Sequence, residues 1–110
     1  MKFTNKITMK IKVYRILVPA YNNQASEFSS SHHHVWDEFV RKLVGSVTIM
    51  KSVKGQWISP YGQLYTDKMI PCEISCTKEQ IKRIAKFTKQ HYRQETVVYY
   101  KISNKFNLIK

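Results

Sequence analysis

Residues 77–92, TKEQIKRIAKFTKQHY, carry the clearest structural signal in this chain. Thr77 and Gln80 form a capping box, in which each side chain binds the backbone N–H of the other residue at a helix start. Apolar and small residues then recur at helical spacing, namely Ile81, Ile84, Ala85, Thr88 and Tyr92. The pattern predicts a helix from residue 77 to about residue 93 that packs this stripe against a core.

Strand patterns lie on both sides of this helix and decide how the chain is organised. The predicted strands are residues 7–20, 46–53 with a continuation at 56–58, 63–76 and 96–103. Pro71 lies inside the long strand before the helix, and because proline has no backbone N–H it indicates an edge strand or a bulge. Residues 54–55, Lys-Gly, are predicted as a turn or bulge, and residues 59–62, Ser-Pro-Tyr-Gly, as a β-turn.

A second helix is predicted over residues 32–44, with Ser31 as its N-cap and Gly45 as its end. Its expected inward stripe is Val35, Phe39 and Leu43, with Trp36 and Val40 beside it. The order of elements is then β-α-β-β-α-β, which predicts an α+β, ferredoxin-like fold with two helices on one face of a four-stranded antiparallel sheet. The first and last strands are apolar on both sides, so we expect further copies of the chain to cover the other face.

Length and charge limit the possible functions. The 110 residues form a single predicted domain, 1–110, in which residues 104–110 are expected to be a flexible tail. Lysine and arginine number 19 against 7 aspartate and glutamate, a net charge of +12 that favours anionic partners such as nucleotides or nucleic acid. We find neither an apolar run long enough to span a membrane nor a secretory signal, and expect a cytoplasmic protein.

Two segments could carry chemistry, and both have ordinary structural interpretations. The run from Ser31 to His34 either forms the polar start of a helix or places ring nitrogens near a ligand. Neighbouring histidines on a helix point in different directions, which disfavours a metal site.

The second segment extends from Gly55 to Lys68 and is rich in aromatic residues that could stack on a base. There Asp67, or Glu73 on the same strand phase, could bind a cation; otherwise Asp67 simply pairs with a lysine in a solvated hairpin.

The two cysteines, Cys72 and Cys76, are interpreted as buried apolar residues. Four positions apart in a strand they would be about 13 Å from each other, too far for a disulfide, and a zinc site needs about four ligands. No phosphate-binding loop, dinucleotide fingerprint or Ser/His/Asp arrangement occurs in the sequence.

Several segments, in the right order, resemble phage-type S-adenosylmethionine (SAM) lyases, formerly called SAM hydrolases. Residues 13–21 are similar to their first strand. Ser30, His32 and His34 match a Ser-x-His-x-His pattern at the start of a helix in the family. Residues 55–57, Gly-Gln-Trp, stand where the family has Gly-x-Tyr, and residues 67–68, Asp-Lys, stand where it has Glu-Lys. Residues 76–80 and 92–99 resemble its second helix and last strand. The resemblance covers about residues 11–102.

This resemblance implies a trimeric, PII-like ferredoxin fold with sites between subunits, and cleavage of SAM to methylthioadenosine and homoserine lactone without metal or cofactor. Carried over by position, Asp67 is the catalytic carboxylate and Trp57 replaces a pocket tyrosine, so that Tyr65 or Tyr61 would supply the hydroxyl. The expected catalytic residues are therefore Asp67 and Tyr65, and the expected substrate-binding residues are Trp57, Gln56, Tyr61, Lys68, Ser30, His32 and His34.

The charge of the chain bears on the substrate. SAM is itself a net cation, so a protein of charge +12 suits a substrate that also carries a phosphodiester. A relative of the resembled family destroys SAM-AMP, the adenylated SAM messenger of type III CRISPR defence. We therefore expect cleavage of SAM-AMP or SAM, with Lys51, Lys54 or Lys68 meeting the phosphate. The alternatives are a basic module that binds nucleotides or nucleic acid without chemistry, and a purely structural protein.

Overall fold

The computed structural model describes residues 10–110, which form one antiparallel sheet with two helices on one face. The elements are β1 (Lys12–Pro19), α1 (Ser30–Val44), β2 (Thr48–Ile49), β3 (Val53–Ile58), β4 (Leu64–Cys76), α2 (Lys78–His91) and β5 (Tyr99–Ser103). β4 pairs with β1 along one side and with β2 and β3 along the other, and β5 completes the far edge beside β1. The α+β, ferredoxin-like prediction is therefore confirmed, although part of the predicted first strand lies outside the described residues.

The core lies between the helices and one face of the sheet. Alternate residues of β1 and β4 point into it, and α1 and α2 close it. The largest fully buried side chains are Trp36, Tyr92, Ile16, Ile74, Ile81, Ile84, Val18 and Val40. The indole N–H of Trp36 donates to Thr88 Oγ1 at 2.8 Å, and the Thr88 hydroxyl donates to the Ile84 carbonyl at 2.6 Å, so the polar atoms in this core are paired.

The second helix follows its sequence pattern closely. Thr77 Oγ1 accepts the Gln80 N–H at 3.2 Å, and Gln80 Oε1 accepts the Thr77 N–H at 2.9 Å, which completes the predicted capping box. The predicted stripe is inward, with Ile81, Ile84 and Thr88 buried. The helix ends at His91, two residues before the predicted end, and β5 begins at Tyr99, three residues later than predicted.

The first helix departs from its prediction at both the cap and the stripe. Ser29, and not Ser31, is the N-cap: its hydroxyl accepts the His32 N–H at 3.2 Å. The buried stripe is Trp36, Val40 and Val44, while Val35 is 52% exposed. One residue corresponds to about 100° of helix rotation, and the large Trp36 sets the orientation because burying its indole removes most apolar area from water.

Gly45 ends α1 as predicted, in the left-handed conformation with φ 93°, and its N–H donates to the Arg41 carbonyl. Phe39 and Leu43, predicted for the inward stripe, are partly buried beside the core, and Phe39 stacks on Phe87 at 4.0 Å between ring centroids. These aromatic contacts tie α1 to α2 along the outside of the core.

The strand interruption lies opposite Pro71 and not at residues 54–55. Lys54 and Gly55 are ordinary β3 residues that pair with Lys68 and Asp67. The Met50 N–H donates to the Pro71 carbonyl at 2.9 Å, but proline has no N–H to return, so the ladder breaks between β2 and β3. Because β4 has strands on both sides, Pro71 marks a bulge and not a sheet edge.

β3 and the first part of β4 form a long, exposed hairpin. Its turn is closed by the Ser59 N–H to the Gln63 carbonyl and the Gly62 N–H to the Ser59 carbonyl, both 2.9 Å, and Gly62 has φ 82°. This confirms the predicted turn. The chain measures 47 × 30 × 22 Å, which is elongated for a domain of this length. Residues 104–110, expected as a tail, form neither helix nor strand.

Candidate functional site

A cavity of about 210 Å³ opens between the first turns of α1 and the helix-covered face of the sheet. Its lining residues are Val18, Ser30, His33, His34, Trp36, Asp37, Ile49, Ile70, Cys72 and Tyr92. One wall is apolar and comes mostly from the strands, whereas the polar wall comes from α1. Sites for small-molecule ligands usually measure roughly 300–1,000 Å³, so this cavity alone is small for a nucleoside.

The polar wall of the cavity is one face of α1. Ser30, His33, His34 and Asp37 stand at positions i, i+3, i+4 and i+7, which share a helix face. Ser30 and His34 were predicted as substrate-binding residues and lie in this wall. His33 and Asp37 were missed; their signal was this spacing together with the scarcity of carboxylates in the chain.

Three titratable groups in the cavity are held neutral by burial. His33 Nδ1 and the Tyr92 hydroxyl lie 2.6 Å apart. Burial lowers the pKa of His33 below its usual 6.5, an effect that the charge of Asp37 partly opposes. Burial also raises the pKa of Tyr92 and raises the pKa of the Cys72 thiol to about 12. All three groups are therefore uncharged at neutral pH.

His32, which was predicted to bind substrate, forms a reciprocal pair with His91 in the structure. Its Nε2 donates to the His91 carbonyl at 2.8 Å, and His91 Nε2 donates to the His32 carbonyl at 2.7 Å. The two rings stack with centroids 3.8 Å apart. This reciprocal pair ties the start of α1 to the end of α2, and His32 is not among the residues that line the cavity.

A second candidate group lies on the exposed hairpin. Trp57 donates its indole N–H to Asp67 Oδ2 at 2.8 Å and stacks on Tyr65 with ring centroids 4.6 Å apart. The Tyr65 hydroxyl donates to Gln63 Oε1 at 3.1 Å. Gly55 is the cross-strand partner of Asp67, and the methyl end of Met69 fills the space that a side chain at Gly55 would occupy. We call Trp57, Tyr65 and Asp67 the hairpin cluster.

The hairpin cluster and the cavity are on opposite faces of the sheet. Ile70 and Cys72 of β4 point toward the helices and line the cavity. Side chains alternate along a strand, so Tyr65 and Asp67 point to the helix-free face. Gln56 and Lys68 point the other way, toward the cavity side, and Tyr61 lies at the turn, 96% exposed. A single chain therefore divides the predicted site residues into two groups.

The two candidate carboxylates of β4 differ in their partners. Glu73 forms an ion pair with Arg15 at 2.6 Å, and Arg15 also donates to the Tyr100 hydroxyl at 3.4 Å. Asp67 accepts one hydrogen bond from Trp57, and within residues 10–110 its other oxygen has no hydrogen-bond partner. It is not paired with a lysine, as the ordinary interpretation of the hairpin expected, so it is the more available of the two carboxylates for a ligand.

Two of the lysines expected to meet a phosphate stand side by side. Lys54 and Lys68 are direct cross-strand partners on the cavity side of the hairpin, a like-charged pair that an anion would stabilise. Lys68 precedes Ile70, a cavity residue, by two positions on the same strand face, about 7 Å along the strand. Lys68 Nζ lies 6.0 Å from the Tyr21 ring centroid. Lys51 lies in the segment between β2 and β3.

The cysteines and histidines of residues 10–110 do not assemble a metal site. Within that range no three His, Cys, Asp or Glu side chains are placed to hold a metal ion. Both cysteines are free and buried, as predicted, and burial raises the pKa of each thiol to about 12. Neither of the two helices described is long and apolar enough to cross a membrane.

Comparisons with known proteins identify relatives by structure only. No protein-family model matches the sequence, and no curated protein matches it. A phage SAM lyase in complex with S-methyl-5'-thioadenosine superposes with a TM-score of 0.67 at 13% identity, covering 94% of this chain and 88% of that one. The chain has the fold of a phage SAM lyase. This confirms, at the level of the fold, the resemblance inferred from the sequence motifs.

CutA proteins share the same architecture. CutA1 of the psychrotrophic bacterium Shewanella sp. SIB1 matches with a TM-score of 0.66 at 11% identity, covering 90% of this chain and 85% of that one. The periplasmic divalent cation tolerance protein CutA of Archaeoglobus fulgidus matches with a TM-score of 0.64 at 14% identity, covering 89% and 87%. The fold is thus the CutA/PII-like form of the ferredoxin-like arrangement.

Proposed function

We propose that this protein is a lyase that cleaves a sulfonium nucleoside, SAM-AMP or SAM, to (adenylated) methylthioadenosine and homoserine lactone. The observation that carries the proposal is the hairpin cluster, which holds an available carboxylate beside two stacked aromatic rings on a fold shared with a SAM lyase. Such a group suits a ligand with a flat base or ribose and a positively charged arm.

The reaction makes modest demands on the protein. The carboxylate oxygen of the methionine arm forms a bond to Cγ of the same arm, while the bond from Cγ to the sulfonium sulfur breaks and its electron pair stays on sulfur. No external nucleophile, metal or cofactor is consumed. The protein needs to hold the arm folded, which is positional catalysis. In this proposal Asp67 binds the ammonium of the arm, with Trp57 fixing the carboxylate and Tyr65 supporting the indole.

A complete site requires a second copy of the chain. The cavity is small for a nucleoside, and the hairpin cluster of the same chain points away from it. The helix-free face of the sheet carries apolar residues that this chain leaves exposed or half-buried, namely Val13, Leu17, Val98 and Tyr100. In a homotrimer, the hairpin of one copy would close the cavity of its neighbour. Light scattering coupled to size exclusion tests this, and a monomer would contradict it.

The lysine pair favours SAM-AMP over SAM as the substrate. Lys54 and Lys68 lie next to the cavity on its side of the sheet, where a phosphodiester on the ribose of a bound ligand would neutralise them. We expect a higher kcat/KM for SAM-AMP than for SAM in the wild type. Replacing both lysines by glutamine should lower the value for SAM-AMP and leave that for SAM within about twofold, a change of less than 0.5 kcal/mol.

The decisive experiment follows product formation. Purified protein at micromolar concentration is incubated with SAM or SAM-AMP, and methylthioadenosine, its adenylated form and homoserine lactone are quantified by mass spectrometry. Asp67→Asn should abolish turnover. Glu95→Gln, which removes another exposed carboxylate and the same charge, should not. Absence of turnover of both compounds by the wild type would end the lyase proposal.

The alternative is a non-catalytic module that binds nucleotides or nucleic acid, which the net charge of +12 and the lysine pair favour. It predicts affinity for random oligonucleotides that falls steeply with salt. Asp67→Asn separates the two functions, because it should remove lyase turnover but preserve or strengthen binding to polyanions.

A further inference from the structure

Asp37 is a carboxylate in the cavity that the motif-based assignment did not include. It lies on the same face of α1 as Ser30, His33 and His34, and it lines the cavity. Within residues 10–110 the Asp37 carboxylate accepts no hydrogen bond and forms no ion pair. Its helical neighbour Glu38, by contrast, pairs with Lys42 at 2.8 Å on the exposed side of α1.

The lining of the cavity differs in charge from the rest of this strongly basic protein. Among the residues that the structure describes, no lysine or arginine lines the cavity, and Asp37 is the one carboxylate that does. His33, Tyr92 and Cys72 are held neutral by burial, as described above. The charge of Asp37 opposes the effect of burial on the pKa of His33, and it adds to the effect of burial on the pKa values of Tyr92 and Cys72.

Asp37 is half-buried beside the apolar wall of the cavity, where a cationic group of a ligand would gain a favourable contact with the carboxylate. The chemistry of the wall indicates which cation fits. An ammonium carries three N–H groups that need acceptors, whereas a sulfonium has none and is recognised by charge and shape alone. Val18, Ile49 and Ile70 offer apolar surface to the carbon substituents of a sulfonium, while Asp37 offers the countercharge.

We propose that Asp37 binds the sulfonium of the substrate inside the cavity and thereby selects the charged substrate over its uncharged thioether product. This rests on the proposed function and gives two carboxylates separate roles: Asp67 on the hairpin of a neighbouring copy binds the ammonium, and Asp37 on α1 binds the sulfonium. Cleavage converts the sulfonium to a neutral thioether, so the attraction to Asp37 disappears and product leaves more easily.

The proposal predicts a specific kinetic signature. Asp37 stabilises the sulfonium in the bound substrate, and this charge declines as the C–S bond breaks, so the residue contributes to substrate binding more than to the transition state. Asp37→Asn should therefore raise KM for SAM or SAM-AMP about tenfold, with kcat unchanged or increased. Glu38→Gln, the neighbouring carboxylate on the solvent side, is the matched control and should leave both constants as in the wild type.

Three ligands that differ in which charged groups they carry identify the group that Asp37 contacts. Methylthioadenosine has no charged arm, S-adenosylhomocysteine has the ammonium but no sulfonium, and SAM has both. Titration calorimetry should show that Asp37→Asn weakens the binding of SAM. The affinities for methylthioadenosine and S-adenosylhomocysteine should stay within about twofold of the wild type. Equal weakening of all three would overturn the proposal in favour of a role in cavity shape, and weakening of S-adenosylhomocysteine alongside SAM would assign Asp37 to the ammonium instead.

Failure of the proposed function is distinguishable from failure of this inference. A wild type that binds SAM but does not cleave it contradicts the lyase proposal, and a selective loss of that binding in Asp37→Asn would still support the sulfonium contact. Normal turnover with an unchanged KM in Asp37→Asn contradicts the inference and leaves the lyase proposal intact. Circular dichroism of the variant establishes that it is folded.

Discussion

The two tryptophans of this protein make the same hydrogen bond in opposite surroundings. Trp36 is 1% exposed and donates its indole N–H to Thr88 at 2.8 Å, in the middle of the core. Trp57 is 50% exposed and donates its indole N–H to Asp67, also at 2.8 Å, on the hairpin. The first residue joins α1 to α2, whereas the second orients a carboxylate that faces solvent.

This difference separates a region whose apolar side chains are buried and whose polar groups are paired from a region whose large apolar side chains stay exposed. The helix-covered half buries its apolar residues and pairs their polar atoms internally. The hairpin exposes large apolar side chains, among them Trp57, Ile58 and Leu64, at a cost that the described chain alone does not offset. We infer that stability resides in the first region and recognition in the second, and three measurements test this division.

The largest effect is expected for Trp36→Ala. Removing a fully buried indole leaves a cavity and deprives Thr88 of its donor, which should lower the free energy of unfolding by about 3–5 kcal/mol. Urea denaturation followed by circular dichroism, at one fixed protein concentration, measures the loss. A decrease below about 1 kcal/mol would contradict the assignment of Trp36 to the core, because such values belong to surface substitutions.

A smaller effect is expected from the pH dependence of stability through His33. Burial lowers the pKa of His33 in the folded state, so below pH 6.5 the unfolded state binds more protons. The contribution of the neutral ring is complete above pH 6.5 and is lost as the pH falls through the folded-state pKa. His33→Gln should flatten the slope of unfolding free energy against pH below pH 6.5. Identical slopes in variant and wild type would show that the ring is not desolvated.

The smallest effect on stability is expected for Trp57→Ala, the counterpart of Trp36→Ala. It removes one half-exposed cross-strand pair with Tyr65, which contributes about 0.2–1 kcal/mol. Turnover should nevertheless fall severely, because Asp67 loses the donor that fixes it. A loss of several kcal/mol in the same urea titration would break the comparison between the two tryptophans.

Much of the fold could be predicted because its signals are local. The capping box at Thr77, the glycine that ends α1 and the turn at residues 59–62 each depend on a few neighbouring residues. The predictions were wrong where the local sequence was compatible with more than one packing arrangement. The inward face of α1 could be centred on Val35 or on Trp36, and packing against the sheet and α2 chose Trp36.

The candidate site was predictable in composition but not in arrangement. The motif resemblance pointed to Asp67, Trp57, Ser30 and His34, and the structure places the first pair in the hairpin cluster and the second pair in the cavity wall. It could not indicate that Trp57 binds Asp67, because that contact depends on the register of β3 against β4. The motif resemblance did not include Asp37, which belongs to the cavity wall through its i, i+3, i+4, i+7 spacing from Ser30, His33 and His34 on α1.

The sequence by itself determined the order of the elements, the capping box of α2, the glycine that ends α1 and the charge of the chain, because these follow from propensity, capping and composition over short distances. Only the tertiary structure decided the partners: His32 with His91, His33 with Tyr92 and Trp36 with Thr88 are separated by 59, 59 and 52 positions. Such pairs form only when the helices pack on one sheet, since many chain conformations share the same local pattern and packing selects among them.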